Sequence, residues 1–205
     1  MSGIYDGTHL VGGMTADWWS RDPKRMAFVA ARYKTVARLL TGKRRVLEVG
    51  CADGFFSRIV RQHVGYLHAV DVDGESIGEA MRGDCGDWPV YFARHDILAG
   101  PLPGHDAAYA LDVLEHMRPD DEEPRFLRHM AESAPVCILG SPSLESQGYA
   151  SELSRVGHVN CKTEAEMRET LSAFWPNVFL FGMNDETLHT GFGPLCHYRL
   201  AVCVA

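Results

Sequence analysis

Residues 46–54 decide the fold, and they read Val46-Leu47-Glu48-Val49-Gly50-Cys51-Ala52-Asp53-Gly54. An apolar strand pattern runs directly into small residues, and an apolar helical pattern follows. Small residues let the backbone turn sharply and approach a ligand closely. The N-terminus of the following helix offers free N–H groups and a partial positive charge, which suits a carboxylate or a phosphate. The segment therefore predicts a strand–turn–helix unit that binds a ligand with a negatively charged group.

The spacing of the small residues separates two ligand classes. A dinucleotide-binding turn needs small residues at its first, third and sixth positions. Counted from Gly50, the sixth position holds Phe55, which is too large. Small residues do occupy the first, third and fifth positions (Gly50, Ala52 and Gly54), and the acid Glu48 lies two residues before the turn. This spacing favours S-adenosylmethionine (SAM) over a dinucleotide.

The rest of the chain alternates between strand and helix patterns, which predicts βαβ units and a parallel sheet covered on both faces. After the last predicted helix, two strands follow without a crossover helix and should pair antiparallel. We therefore expect one α/β domain with a seven-stranded, mostly parallel sheet and a C-terminal antiparallel hairpin. The predicted strands are 45–49, 66–71, 90–94, 106–112, 136–140, 177–183 and 195–204, and the predicted helices are 26–40, 53–63, 74–82, 124–131 and 163–174.

Three further acids fall at the ends of predicted strands, where open parallel sheets bind their ligands. Asp71 ends the second strand, and a carboxylate there can accept both hydroxyl protons of a ribose. Asp96 follows the third strand, where it can accept a hydrogen bond from an adenine amino group. Asp112 ends the fourth strand. In this order, the acids strengthen the prediction of a nucleoside-containing ligand.

These motifs resemble those of the class I, Rossmann-like SAM-dependent methyltransferases. Residues 48–54 match the family's first motif of an acid followed by alternating glycines, except that Ala52 replaces the middle glycine. An added methyl group is tolerable there if φ is negative. Residues 111–116 are similar to the fourth motif of the ubiquinone-biosynthesis type of O-methyltransferase. Residues 141–147 and 157–162 are similar to stretches of small bacterial methyltransferases of polysaccharides and natural products.

The resemblance implies a cofactor site along the carboxyl ends of the first four strands. It implies SAM as the cofactor and a small molecule as the methyl acceptor. The implied cofactor contacts are Glu48, Gly50, Cys51, Ala52, Gly54, Asp71, Val72, Asp96, Ile97, Leu111 and Asp112.

The acceptor is expected beside the loop 141–161, which is long for a βα connection and rich in hydrogen-bonding side chains. Methyl transfer to a hydroxyl requires removal of a proton, and histidine suits that task near neutral pH. His116 and His158 both lie on the ligand side and are the candidate bases. The candidate acceptor contacts are Ser143, Glu145, Tyr149 and Asn160.

Two segments could complete the site. The connection 184–194 either adds to its rim or forms a hairpin excursion. Within the predicted N-terminal capping segment and helix, residues 1–41, at most one of the adjacent Trp18 and Trp19 can cap the cofactor because neighbouring side chains diverge. Core packing is the alternative for both.

Composition limits the partners. The formal net charge of −7 argues against a nucleic-acid partner, and the basic residues near the start are interpreted as a solvated helix face. The chain has neither a transmembrane-length apolar run nor a signal-peptide pattern, so we expect a cytoplasmic protein that makes no membrane contact, with reduced cysteines. A zinc site of His158, Cys161, Cys196 and His197 is disfavoured, because the adjacent strand residues Cys196 and His197 point to opposite faces. No metal is predicted.

Three functions remain open at this point. The preferred one is an O-methyltransferase acting on a hydroxyl of a sugar or natural product. The second is an N-methyltransferase acting on a small amine, which would need no strong base. The third is a SAM-binding partner subunit without activity of its own.

Overall fold

The computed structural model describes residues 11–83, 86–150, 152–184, 187–191 and 193–205. Seven α-helices lie in this part of the chain: α1 Gly13–Arg21, α2 Pro23–Leu39, α3 Ser57–Arg61, α4 Gly74–Arg82, α5 Glu122–Ser133, α6 Glu152–Gly157 and α7 Glu164–Ser172. Eight strands accompany them: β1 Arg45–Val49, β2 Tyr66–Asp71, β3 Tyr91–Arg94, β4 Ala107–Leu111, β5 Val136–Pro142, β6 Asn177–Asn184, β7 Thr187–His189 and β8 Tyr198–Val204.

The strands form one sheet in the order β3-β2-β1-β4-β5-β8-β6-β7. The first five strands of this order pair in parallel, and β8 pairs antiparallel with β5 on one side and with β6 on the other. The predicted α/β architecture and the antiparallel pairing of the two C-terminal strands are confirmed. The carboxyl ends of β1, β2, β3 and β4 lie along one edge of the sheet, as the predicted site requires.

The central strands are apolar on both faces because helices cover both faces. All five residues of β4 are buried. On one face, α2 and α3 pack against a core that includes Val46, Leu67 and Tyr109. On the other face, α5 and α7 pack against a core that includes Leu47, Phe126 and Trp175.

The structure has one more strand than predicted. The extra strand is β7, a three-residue segment that pairs antiparallel with the end of β6. It lies in the connection 184–194, of which residues 185, 186 and 192 lie outside the described residues. The connection therefore includes a hairpin excursion. A strand this short carries too few residues for an alternating pattern to be recognised.

Two predicted boundaries were wrong. The helix predicted for 53–63 is only Ser57–Arg61, because the left-handed backbone of Gly54 extends the turn before it. The segment 141–161 is not an irregular loop. It contains the end of β5, a 3-10 helix over Leu144–Tyr149 and α6. Helix α1 was also missed, since its glycines and polar residues resemble a loop; residues 1–10 of the capping segment lie outside the described residues.

Among the described residues, no helix combines the length and the apolar character needed to cross a membrane. The described cysteines are free thiols, and Cys85 lies outside the described residues.

Candidate active site

The turn after β1 is built from left-handed backbone positions. Gly50 has φ of 83° and Gly54 has φ of 70°. A Cβ on Gly50 would clash with Val113, and one on Gly54 would clash with the ring of Phe92. Both glycines are therefore required by the conformation and by packing.

The backbone conformation of Ala52 differs from the negative φ expected from the sequence for a residue with a side chain. Its φ is 48°, so the condition of a negative φ is not met, and the residue adopts a conformation that favours glycine. The amide of Ala52 donates to Oδ2 of Asp71 at 2.8 Å. We infer that this contact helps to offset the backbone strain, which is of the order of 1 kcal/mol or more.

Asp71 links two segments at the end of β2. Besides the amide of Ala52, its carboxylate accepts the amide of Asp73 at 2.9 Å through Oδ1. Both oxygens thus take one backbone hydrogen bond. Since each carboxylate oxygen has two lone pairs, acceptor capacity remains for a ligand hydroxyl.

Glu48 lies beneath the turn and not in the cavity above it. It is 1% exposed and accepts a hydrogen bond from the Tyr33 hydroxyl at 2.7 Å. Burial raises the pKa of this carboxyl above its usual value. We therefore assign Glu48 to the support of the turn.

The remaining predicted cofactor residues fall into two groups. Leu111 lines the cavity beside Gly50, Cys51 and Ala52. Val72, Asp96 and Ile97 lie beyond that cavity, after β2 and β3. Val72 is 58% exposed, Asp96 accepts the amide of Leu98 at 2.9 Å, and Ile97 is buried.

Asp112 follows β4 and has a left-handed backbone with φ of 57°. Nη1 of Arg32, from α2, donates to its two carboxylate oxygens at 2.9 and 2.7 Å. The guanidinium carbon of Arg32 lies 3.8 Å from the ring centroid of Tyr198. Arg32 therefore joins α2 to the ends of β4 and β8, although the sequence placed it on a solvated helix face.

One cavity of about 1230 Å³ connects the turn to the acceptor side. The glycine turn and Asp112 line one part of it, and Glu115, His116 and His158 line another. Trp18 also lines this cavity, whereas the neighbouring Trp19 is 67% exposed and lies along a different groove. The two side chains diverge, as expected for adjacent helical residues.

The two candidate bases meet in this cavity. The ring centroids of His116 and His158 are 5.3 Å apart. Nδ1 of His116 lies 2.8 Å from the carbonyl oxygen of Gly157, and Nδ1 of His158 lies 2.9 Å from Oε1 of Gln147. Both partners are acceptors, so each Nδ1 carries the proton and each Nε2 keeps its lone pair when the ring is neutral. Burial, and secondarily the neighbouring His116, lowers the pKa of His158.

Glu115 completes a cluster that the sequence prediction missed. It is fully buried, and among the described residues only the Ser141 side chain lies near enough to its carboxylate to approach a hydrogen bond, without forming one of full geometry. Burial, followed by the charge of Asp112, raises the pKa of Glu115 well above the usual carboxyl range. Ligand atoms of Glu115, His116 and His158 all lie within 4.8 Å of one another, close enough to hold a metal ion. In the sequence, the only local indication of this cluster is that Glu115 adjoins His116. The third member, His158, lies 42 positions after His116.

The four predicted acceptor contacts occupy different environments. Ser143 is buried and donates to the carbonyl of Cys196 at 2.6 Å, and Asn160 is buried and donates to Glu123 at 2.9 Å. These two support the wall of the site. Glu145 and Tyr149 line the cavity, and Tyr149 is 93% exposed at its rim.

No family model matches the chain. Uncharacterized methyltransferases of Mycobacterium bovis and Mycobacterium tuberculosis are 31% identical over 78 residues, which is 37% of this chain. The match spans 39% of the length of those relatives.

Solved structures show more extensive likeness. The methyltransferase domain of bacterial CtHen1 superposes with a TM-score of 0.70 at 17% identity and covers 87% of this chain and 100% of that domain. The DhpI–SAH complex gives a TM-score of 0.64 at 19% identity, covering 92% and 89%. The small RNA methyltransferase HEN1 gives 0.68 at 15% identity, covering 84% of this chain and 24% of that one. The chain therefore has the fold of the class I, Rossmann-like SAM-dependent methyltransferases.

Proposed function

We propose that this protein transfers a methyl group from SAM to a hydroxyl group of a small polar molecule. The observation that carries the proposal is the shared cavity. The glycine turn that would hold the cofactor and the cluster of Glu115, His116 and His158 that would hold the acceptor line the same space. A displacement reaction requires that donor and acceptor meet with water excluded.

The residues of the cofactor side suit SAM. Gly50, Cys51 and Ala52 line the cavity. Asp71, which accepts the amide of Ala52, keeps acceptor capacity for ribose hydroxyls. The DhpI–SAH complex, which shares the fold, holds the demethylated form of this cofactor. When bound, SAM supplies an electrophilic methyl group on a sulfonium centre.

The residues of the acceptor side suit a hydroxyl that must lose a proton. His158 has a lowered pKa, so its ring is neutral at pH 7 and its Nε2 can accept a proton. The contact of Nδ1 with Gln147 fixes the ring orientation. An amine acceptor that is already deprotonated would not need this arrangement, which is why we favour O-methylation over N-methylation.

The same cluster fits a divalent cation. One carboxylate oxygen and two imidazole nitrogens form a donor set that first-row divalent ions accept. A cation there would also offset the cost of ionising the buried Glu115. The sequence argument against metal concerned only the pairs His158–Cys161 and Cys196–His197, so it does not bear on this cluster. We therefore propose metal-assisted binding of the acceptor as a variant of the same function.

A nucleic-acid acceptor is the main rival within this fold, since HEN1 is a small RNA methyltransferase. The net charge of −7 disfavours it. Of the two arginines lining the cavity, Arg32 is neutralised by Asp112. We retain a small molecule as the proposed acceptor.

The first test is binding of S-adenosylhomocysteine (SAH) by calorimetry. We expect saturable binding with a dissociation constant in the micromolar range. If the folded protein does not bind SAH or SAM, the proposed function is lost.

The second test is turnover with labelled SAM and a panel of sugars, phenols, small amines and a short RNA, with and without EDTA and added Mg²⁺, Mn²⁺ or Zn²⁺. We expect transfer to a hydroxyl and a drop of at least about 100-fold in the His116→Ala/His158→Ala double variant. The matched control is His63→Ala, an exposed histidine that contacts Thr41 away from the cavity. Undiminished turnover in the double variant would indicate an amine acceptor, and RNA methylation would overturn the small-molecule proposal. Binding without turnover, restored by a second chain, would indicate a partner subunit.

A further inference from the structure

Helix α1 begins without a cap of its own. Its N-cap residue is Gly12, which offers no side-chain hydrogen bond. The amide of Thr15 instead donates to Oδ2 of Asp53 at 2.9 Å, and the amide of Gly13 donates to Oε2 of Glu79 at 2.9 Å. The first turn of α1 is thus capped by two acids from elsewhere in the chain. Free N–H groups at a helix start need such partners.

The contact with Asp53 is the tighter of the two. The hydroxyl of Thr15 donates to Oδ1 of Asp53 at 2.9 Å, so both oxygens of one carboxylate hold one residue of α1. Thr15 is fully buried and Asp53 is 6% exposed. A Cβ at Gly12 would clash with the side chain of Asp53, which shows how closely the chain approaches here. Hydrogen bonds to a buried carboxylate are among the stronger ones in proteins.

Asp53 belongs to the turn that would hold the cofactor. It lies between Ala52 and Gly54, both in left-handed conformations. It lines the main cavity together with Met14 and Trp18 from α1. The ring of Trp18 continues that wall toward Phe56, with centroids 6.5 Å apart. One face of α1 therefore borders the cofactor cavity. Asp53, the residue to which α1 is attached, lines the same cavity.

Among the described residues, the other attachments of α1 are the bond of Gly13 to Glu79 and the packing of Trp18 against Phe56 and Arg25, whose guanidinium lies 4.4 Å from the Trp18 ring centroid. Thr15 is its only buried residue, and Asp22 alone separates it from α2. Elements with few buried contacts open locally at low free-energy cost. Detaching Thr15 from Asp53, together with the weaker contacts of Gly13 and Trp18, would allow α1 to swing about Asp22 and Pro23 while α2 keeps its contact with Asp112.

We propose that α1 is a lid over the cofactor cavity, and that the contact of Thr15 with Asp53 is the latch that controls cofactor exchange. This inference rests on the proposed function, because it assumes that SAM and SAH occupy the cavity. Thr15 and Asp53 are positioning residues in this scheme. They hold the wall of the cavity and need not contact the cofactor.

The test is stopped-flow tryptophan fluorescence of the full chain mixed with SAH, since Trp18 borders the cavity. Thr15→Val removes the hydroxyl bond and keeps the shape and the amide bond. We expect the association and dissociation rate constants of SAH each to rise by about tenfold, with a smaller change in the dissociation constant. Thr15→Ser should restore both rate constants to wild-type values. Ser20→Ala is the matched control, because that hydroxyl bonds only within α1, to Ala16.

Hydrogen exchange of the α1 amides gives the second readout. It should be faster in Thr15→Val than in wild type, and SAH should slow it in wild type. If SAH binds all variants with rate constants within twofold of wild type, the latch is refuted and the proposed function stands. If SAH binds none of them, including wild type, the proposed function fails and the cofactor role of the lid fails with it.

Discussion

The cofactor half of the site and its acceptor half are built in different ways. In the cofactor half, backbone amides of the turn after β1 and of the segment after β2 donate to one carboxylate, as those of Ala52 and Asp73 do to Asp71. In the acceptor half, side chains from distant positions are tied together by ion pairs, such as Arg199 with Glu145, 54 positions apart. The first half depends on local backbone geometry, and the second depends on tertiary packing.

This contrast predicts that one carboxylate can disable the cofactor half without unfolding the protein. Asp71→Ala removes the acceptor of the Ala52 amide and the proposed acceptor of ribose hydroxyls. We expect SAH affinity to fall by at least about 100-fold, measured by calorimetry. Asp106→Ala is the matched control, since Asp106 accepts the amides of Arg44 and Arg45 at the opposite end of β1. Equal losses in both variants would show that Asp71 acts only through stability.

In the acceptor half, a substitution should instead lower the stability of the fold. Arg199 in β8 is buried and pairs with Glu145 at 2.9 Å and with Glu164 at 3.6 Å. Arg199→Met leaves these acids without their buried cation, so we expect the free energy of unfolding to fall by about 2–4 kcal/mol in urea titrations. The control Arg168→Met breaks an exposed pair with Glu164 and should change it by less than about 0.5 kcal/mol. SAH affinity should be retained in the folded variant, and its loss would contradict the separation of the two halves.

A pH titration should show that His68, in the strand that carries Asp71, makes the stability of the fold depend on pH. Burial, followed by the nearby His105, lowers the pKa of His68 in β2 to about 4. The unfolded chain then binds more protons than the folded one between about pH 4 and 6.5, so stability falls as the pH drops through that window. Since His68 is only half buried, we expect a loss of about 1–2 kcal/mol. Unfolding titrations of His68→Gln should show a smaller pH slope, and an unchanged slope would exclude this histidine as the cause.

The smallest effect is expected at Ala52. Ala52→Gly relieves the left-handed strain but adds backbone freedom to the unfolded chain, so the two effects partly cancel. We expect stabilisation of up to about 0.5 kcal/mol in thermal unfolding. Ala173→Gly is the contrast, because Ala173 has φ of −73° and should be destabilised by glycine. Marked destabilisation by Ala52→Gly would mean that the methyl group packs favourably.

The same contrast explains what the sequence could predict. The turn that contains residues 50, 52 and 54 and the strand end at Asp71 could be predicted from strand periodicity, because a turn and a strand end are local features. Their placement at one edge needed only the rule that parallel strands bind ligands at their carboxyl ends. His116 and His158 were selected by the same rule, and their rings do lie 5.3 Å apart.

The parts that sequence reasoning missed depend on long-range pairing. Arg32 belongs to a basic helix that reads as solvated, and only the position of α2 brings it to Asp112. In the sequence, Glu115 resembles an ordinary solvated acid, and only the structure shows that it is buried. Ser143 and Asn160 looked like ligand contacts because they are polar residues in a long loop, yet both are buried and bonded to the protein. No local pattern distinguishes a polar side chain that faces a ligand from one that supports a wall.

The position of β8 has a consequence for how the molecule assembles. β8 lies between β5 and β6, although it follows both in the chain. During synthesis, β6 and its short partner β7 therefore cannot join the rest of the sheet until residues 198–204 have left the ribosome. The five parallel strands can associate earlier, since each of β1 to β5 has a parallel partner among the other four. We expect the nascent chain to order the cofactor turn first, and to complete the wall carrying Arg199 only when β8 inserts.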